Sequence, residues 1–253
     1  MRVAVIGGTG VLGSAVVREA TARGHEVRVV SRTAPEEATV EHRAADLRTG
    51  AGLDEALAGC EAVVNAANAM TKSNAVLVDG VRMLLDAEQR AGVGHHVEIS
   101  IVGCDVVPFG YYRTKVAQEQ VVTGGPVPWT LLRATQFHHL IADFVGLATR
   151  FHLAPRTAAK TQPIDVDVVA ARMVEAVAAG PSGRVPDIGG PEVLTFADAA
   201  RIYRAHAGRS GIPVPLPIPG AMGRALRAGG LCVGPDGETG GIGFAEWLSR
   251  GER

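Results

Sequence analysis

Tyr111 and Lys115 stand four positions apart in the stretch YYRTK. On a helix that spacing puts both side chains on one face. A phenol ordinarily ionises near pH ~10, and a close ammonium favours the phenolate and moves that value towards neutrality. The pair suits a general acid that protonates a developing oxyanion. Tyr112 reaches the same lysine at i+3, so a small rotation of the helix start would exchange the two phenols. The lysine is itself a signal. Of 25 Lys plus Arg, only Lys72, Lys115 and Lys160 are lysines.

The second group able to do chemistry opens the chain. In MRVAVIGGTGVLGSAVV, Gly7, Gly10 and Gly13 lie between an apolar run and a helical pattern. Gly7 permits a tight turn, Gly10 lets a phosphate approach the backbone, and Gly13 lets the helix lie close to the sheet. The first-turn amides, from Val11 and Leu12 onward, then face a pyrophosphate at the positive end of the helix, with Thr9 beside it. No lysine follows the glycines, which argues against a Walker-type loop. The next strand ends in Val30-Ser31-Arg32-Thr33. An acid at that point would bond the 2′-hydroxyl of NAD. Arg32 instead offers a planar fork for a 2′-phosphate, and Ser31 a hydroxyl. The cofactor expected is NADP(H) in preference to NAD(H).

These residues need a frame, and short β-branched runs alternating with helical patterns supply one. The pattern predicts strands over 2–6, 26–30, 41–45, 62–67, 96–101 and 129–132, and helices over 12–23, 53–58, 74–90, 111–122 and 137–149. Asp46-Leu47 follows the third strand, where adenine would lie. Asn65-Ala66-Ala67-Asn68 closes the fourth with small side chains that leave room for the cofactor ribose. Beyond residue 150 helices are expected over 166–179, 196–207 with Thr195 as N-cap, 220–227 and near 244–248. The segment IPVPLPIPG has proline at every second position, so it is extended and cannot be a central strand. The fold class expected is α/β, a doubly wound parallel sheet, with residues 1–150 as the dinucleotide-binding part and 151–253 as a small C-terminal substrate lobe packed on it.

Composition bounds the rest. Apolar residues make up 47%, charged residues 20%, and the net charge is −1. No basic excess points to nucleic acid, and no run is long or apolar enough for a membrane span. Three distant cysteines without CxxC spacing read as reduced thiols, so a cytoplasmic protein is expected. The pairs His95-His96 and His138-His139 have no acid or thiol grouping to converge with, so no metal is expected.

Taken together, GGTGVLG, Ser31-Arg32, Asp46-Leu47, NAAN, YYRTK and LLRATQF resemble the NmrA-like atypical branch of the short-chain dehydrogenase/reductase superfamily. The resemblance covers residues 1–140 well. It continues more loosely through QPIDVDVVA and GGPEVLTFADAARIY. It implies a Rossmann fold in which Tyr111 is the acid and Lys115 binds the nicotinamide ribose. Ser100, with Gly103 three residues on, would position the substrate carbonyl. Ala134 and Thr135 would border the cofactor, and Gln136, Phe137 and His138 the substrate. Eleven positions separate Ser100 from Tyr111, fewer than the compact members have. Three functions remain open: a reductase of carbonyls, quinones or enones in an apolar small molecule; an NADP(H) sensor without turnover; and an epimerase or isomerase. The chain is expected to act as a monomer or homodimer.

Overall fold

Arg2–Ile6 (β1) runs straight into the first glycine turn, and Val11–Ala22 (α1) leaves it. The computed structural model describes residues 1–34 and 40–251. The next elements are Glu26–Ser31 (β2), Glu41–Ala44 (β3), Leu53–Leu57 (α2) and Ala62–Asn65 (β4). A π-helical stretch, Asn74–Asp79, then passes into Gly80–Ala91 (α3). His95–Ile101 (β5), Gly110–Thr123 (α4) and Trp129–Ala134 (β6) complete the regular part.

The strand order β3-β2-β1-β4-β5-β6 reverses direction between β1 and β4. β1 pairs in parallel with β2 on one side and β4 on the other, with Ile6 opposite both Val30 and Asn65. This is the doubly wound order of a Rossmann fold, and ligands of such sheets bind where the order reverses. Side chains alternate across each strand. Ala4, Ile6, Val30 and Val63 bury one face against Leu53, Leu57, Val81, Leu84, Leu85 and Val122 of α2, α3 and α4. Val5 and Val29 are buried as well, and α1 packs on β1 and β2 through buried Val16 and Ala20.

Two compact units share the chain. The first holds residues 1–100, 113–132 and 169–185; the second holds 101–112, 133–168 and everything from Pro186 on. The units interleave, and a cut at residue 150 falls inside the second. The segment returns because Val166–Ala179 (α6) contributes most of its length to the first unit. Within the second unit lie His138–Arg150 (α5), Leu153–Arg156 (β7), Lys160–Thr161 (β8) and Ile188–Gly189 (β10), after the first unit's short Gly183–Arg184 (β9). There follow Leu194–Thr195 (β11), Phe196–His206 (α7), Ile212–Pro215 (β12), Gly220–Arg227 (α8), Glu238–Thr239 (β13) and Phe244–Ser249 (α9). Thr195 caps α7 in a full capping box with Asp198. Ile141, Val145, Ala199, Ala200, Phe244 and Trp247 from α5, α7 and α9 form a core. The proline segment is extended, as its sequence requires, and its first part pairs with β7 apart from the main sheet.

Two expectations shift for physical reasons. The single helix expected over 74–90 begins as a π-helix and becomes regular at Gly80. A Cβ there would stand 2.5 Å from the Leu47 carbonyl oxygen, so α3 depends on glycine to pass that turn. The sixth strand runs two residues further than its apolar run, because Ala134 pairs with Ile188 of β10. A two-residue strand carries no periodicity to read.

Two adjacent histidines in β5 titrate in opposite directions. Burial pushes His95 down to about 4. His96 is fully buried, and the Glu88 and Glu98 carboxylates raise it to about 10 against the cost of its own burial. A histidine whose folded value is depressed costs stability as pH falls from about 6.5 towards about 4; one whose value is raised loses its contribution as pH climbs from 6.5 towards 10. We therefore expect His95→Gln to flatten the acid limb of the stability profile and His96→Gln the alkaline limb. Urea unfolding at pH 4.5, 6.5 and 9.5 reads both, with differences of about 1–3 kcal/mol.

Candidate cofactor and active site

The glycine turn lies at the point where the strand order reverses. Gly7 has φ +73°, a left-handed conformation that favours glycine. Its amide donates to Val30 O at 2.8 Å, and a Cβ on it would stand 2.9 Å from Ala67 Cα. Gly13 meets the turn even more closely, for a Cβ there would fall 2.1 Å from Gly7 O. Gly10 is different. It is the extended N-cap of α1 without any side-chain cap, and a Cβ on it would touch only Gly7 O, at 3.3 Å. The loop thus offers a cradle with glycine where the backbones meet, no acid in the first helical turn, and amides at Val11, Leu12 and Gly13 without intrahelical acceptors. These residues fit a dinucleotide pyrophosphate. Thr9 and Val11 are exposed beside the turn, whereas Leu12 turns its side chain into the core.

The other cofactor candidates divide by what their side chains already do. Arg32 is exposed at the end of β2. The Ser31 hydroxyl donates to Thr33 O at 2.7 Å and sits 3.1 Å from His42 Nε2. His42 comes from β3, directly beside this strand end; its single-letter pattern gave no sign of that. Asp46 is clamped by Arg48, whose Nε stands 3.0 Å from both carboxylate oxygens, and this guanidinium holds the carboxyl at about 2. Leu47 is buried and packs under α3. Ala66 donates its amide to Ile6 O, and Ala67 donates to Asn65 Oδ1. Asn68 uses its own Oδ1 on the Ala69 amide.

Around the expected acid both tyrosines are half-buried, and packing distinguishes them. Tyr112 packs against Val107, Ala159, Leu226 and Leu231, and burial pushes its phenol up to about 12. Its ring lies 5.3 Å from that of Phe109, edge to face. Tyr111 occupies the first turn of α4, half-buried, with its ring 6.5 Å from Phe109. Lys115, one turn on, is buried; its ammonium donates to Ile99 O at 2.8 Å and to Gln118 Oε1. Gln118 is a partner that motif spacing did not single out, although i+3 placement makes it a natural one. Ser100 is buried near the end of β5. Gly103 has its own reason to be glycine: φ is +74°, and a Cβ would fall 1.6 Å from Gly230 O.

In the second unit, Thr135 gives its hydroxyl proton to Gln162 O, and its amide donates to Ile188 O. The Ala134 carbonyl accepts from Val102. Gln136 accepts from Thr161 Oγ1 at 3.0 Å, while its Nε2 has no partner among the described residues. Phe137 is half-buried ahead of α5. His138 belongs to the core instead: it is fully buried, stacked on Phe244 and Trp247, with Nε2 donating to Ile242 O at 3.1 Å. An imidazole so enclosed serves packing, which corrects its expected place beside substrate. Among the described residues no group of His, Cys, Asp and Glu is arranged to hold a metal, and no helix is long and apolar enough to cross a membrane.

A parallel sheet with this order and a glycine turn at the reversal define a dinucleotide-binding Rossmann protein. The chain belongs to the NAD(P)H-binding family, whose model matches residues 7–179. That agrees with the NmrA-like resemblance of its motifs. Among solved structures it is similar to an NADPH-dependent quinone oxidoreductase from Escherichia coli in complex with NADPH (TM-score 0.81, 19% identity, covering 99% of this chain and 100% of the other). It is also similar to a nucleoside-diphosphate-sugar epimerase from Staphylococcus aureus (TM-score 0.78, 16% identity, 98% and 99% covered). A curated relative, an uncharacterised protein of Mycobacterium tuberculosis, is 30% identical over 99 residues. That match covers 38% of this chain and 12% of the relative's length.

The glycine geometry separates binding from folding. Gly10→Val should leave the unfolding midpoint within a few degrees of wild type and abolish NADPH binding. Gly13→Val should lower stability by several kcal/mol, because the Gly7–Gly8 backbone already fills the place of the new side chain. Thermal unfolding together with cofactor titration checks the pair.

Proposed function

We propose that the protein is an NADPH-dependent reductase that delivers hydride to a carbonyl, quinone or enone of an apolar small molecule. The observation that carries this reading is the division between the two tyrosines. Tyr112 is fixed in a hydrophobic cluster, which leaves Tyr111 as the phenol one helical turn before a buried lysine. The similar Escherichia coli structure, that of an NADPH-dependent quinone oxidoreductase, supports the reaction class.

The residues divide the work as follows. The turn from Gly7 to Gly13 and the first amides of α1 bind the pyrophosphate. Arg32, at a strand end with no acid, takes the 2′-phosphate. Ala66, Ala67 and Asn68 border the ribose. The bound nicotinamide supplies the hydride. Lys115 holds the ribose hydroxyls and, as a cation, lowers the cost of charge on the Tyr111 oxygen. Tyr111 Oη gives its proton to the substrate oxygen as negative charge develops there. Ser100 orients that oxygen, and Gln136 has an amide donor to offer on the substrate side. Residues 133–168 and those from Pro186 on, within the second unit, supply the substrate lobe. We place this activity in the cytoplasm, in a monomer or homodimer.

Arg32→Ala should weaken NADPH binding about 10–150-fold and leave NADH nearly unchanged, the worth of a charge-assisted bidentate contact. Equal wild-type affinities for the two cofactors would contradict the assignment.

Tyr111→Phe should slow NADPH oxidation ~10²–10⁴-fold with cofactor affinity retained. Tyr112→Phe should stay active. The assay follows NADPH absorbance across quinones, enones and ketones. Tight NADPH binding with no turnover on a broad panel would favour a sensor over an enzyme.

A further inference from the structure

Four fully buried polar side chains run in a line through the first unit. Glu88 of α3 faces His96 Nδ1 at 2.8 Å and 3.0 Å through its two oxygens. His96 Nε2 lies 3.4 Å from Glu98 Oε2. Asn65 Nδ2 donates to that same oxygen at 2.8 Å. Because the carboxylate can only accept, it orients the Asn65 amide, and Oδ1 must face the other way. There it accepts from the Ala67 amide at 3.2 Å. Ala67 is the residue whose Cα would stand 2.9 Å from a Cβ on Gly7.

We propose that Glu98 and Asn65 are positioning residues for cofactor binding: a buried strut, anchored by His96 and Glu88, that presses the Ala66–Asn68 turn onto the glycine loop. The inference rests on the reading of that loop as the cofactor site. Packing alone does not explain the line. Apolar residues of similar volume would fill the space at lower cost, since polar groups taken from water must each find a partner. Glu98 Oε1 has none among the described residues, so the carboxylate is kept for what its other oxygen does. A hydrogen-bond chain also fixes which backbone group faces which, and an apolar contact cannot. Here the Ala67 amide is committed inward, and the turn around it is set before any ligand arrives.

The polarity of the strut makes it testable. Asn65→Asp keeps the acceptor for Ala67 but sets a carboxylate against Glu98. Adding Glu98→Gln reverses the pair, with the new amide donating to the new carboxylate. We expect Asn65→Asp to bind NADPH at least tenfold more weakly and to lose hydrogen-exchange protection at the Ala67 amide. The double variant should recover both, to within about threefold. Glu98→Gln alone should lose a smaller factor, about threefold. A side chain that only stabilised the fold would shift the unfolding midpoint without this reciprocal recovery in affinity. If Asn65→Asp alone does not fold, the double variant carries the test, and weak NADPH binding by a folded double variant overturns the strut. Wild-type affinity in a folded Asn65→Asp variant overturns it too. Wild-type protein that binds neither NADPH nor NADH would instead overturn the cofactor reading, and exchange at Ala67 would still decide the strut.

Discussion

The distance between Gly7 and Ala67 governs the first unit. The ends of β1 and β4 are drawn together by pairing that puts Ile6 opposite Asn65, so the two turns that follow must pass each other at backbone contact. Only a residue without Cβ fits there, and the left-handed φ of Gly7 demands glycine a second time. Once this crossing is fixed, Gly13 must be glycine for α1 to start against it. The first amides of α1 then stand at the reversal of strand order. The geometry that closes the sheet is the same geometry that sets those amides at the reversal.

That economy explains which parts of the molecule were legible in the sequence. Apolar runs and glycine stops gave the strands and helices up to residue 134 within one or two positions, apart from the π-helical start ahead of α3, because each pattern reports a local period. The fold class followed from their alternation. Less legible were the features made by two distant segments. His42 reaches Ser31 only because β3 lies beside β2, and Ile188 extends β6 only because the chain returns from the second unit's loops. The family resemblance put His138, just after the sixth strand, beside substrate; its stacking on Phe244 and Trp247 depends on residues a hundred positions later. Gly103 shows the reverse case. Its place after Ser100 matched a catalytic pattern, and the structure adds a separate demand, the Gly230 carbonyl that lies against it.

The adjacent histidines of β5 make the same point with charge. His95 and His96 are indistinguishable in type and one residue apart, yet alternation sends them to opposite faces of the sheet. One faces Thr130 and is held neutral by burial; the other faces two carboxylates and is held protonated. A sequence pattern sees a pair of possible metal ligands. The sheet makes them two separate devices, and the second is joined through Glu98 and Asn65 to the Ala66–Asn68 turn.

Lys115 is the residue where composition and chemistry meet. Arginine carries most of the positive charge in this chain, and a guanidinium would be the default cation. A buried guanidinium brings five N–H donors that must all find acceptors, whereas an ammonium brings three on a single rotatable nitrogen. The surroundings of position 115 supply the Ile99 carbonyl and the Gln118 amide oxygen, a neutral pair close at hand. An arginine there would strand donors in the core, and an unmet buried donor costs on the order of 1–3 kcal/mol. Both of these acceptors are neutral. Tyr112, three positions earlier on the helix, has its ring committed to Val107, Leu226 and Leu231. A single rotatable ammonium is thus the cation that fits this burial.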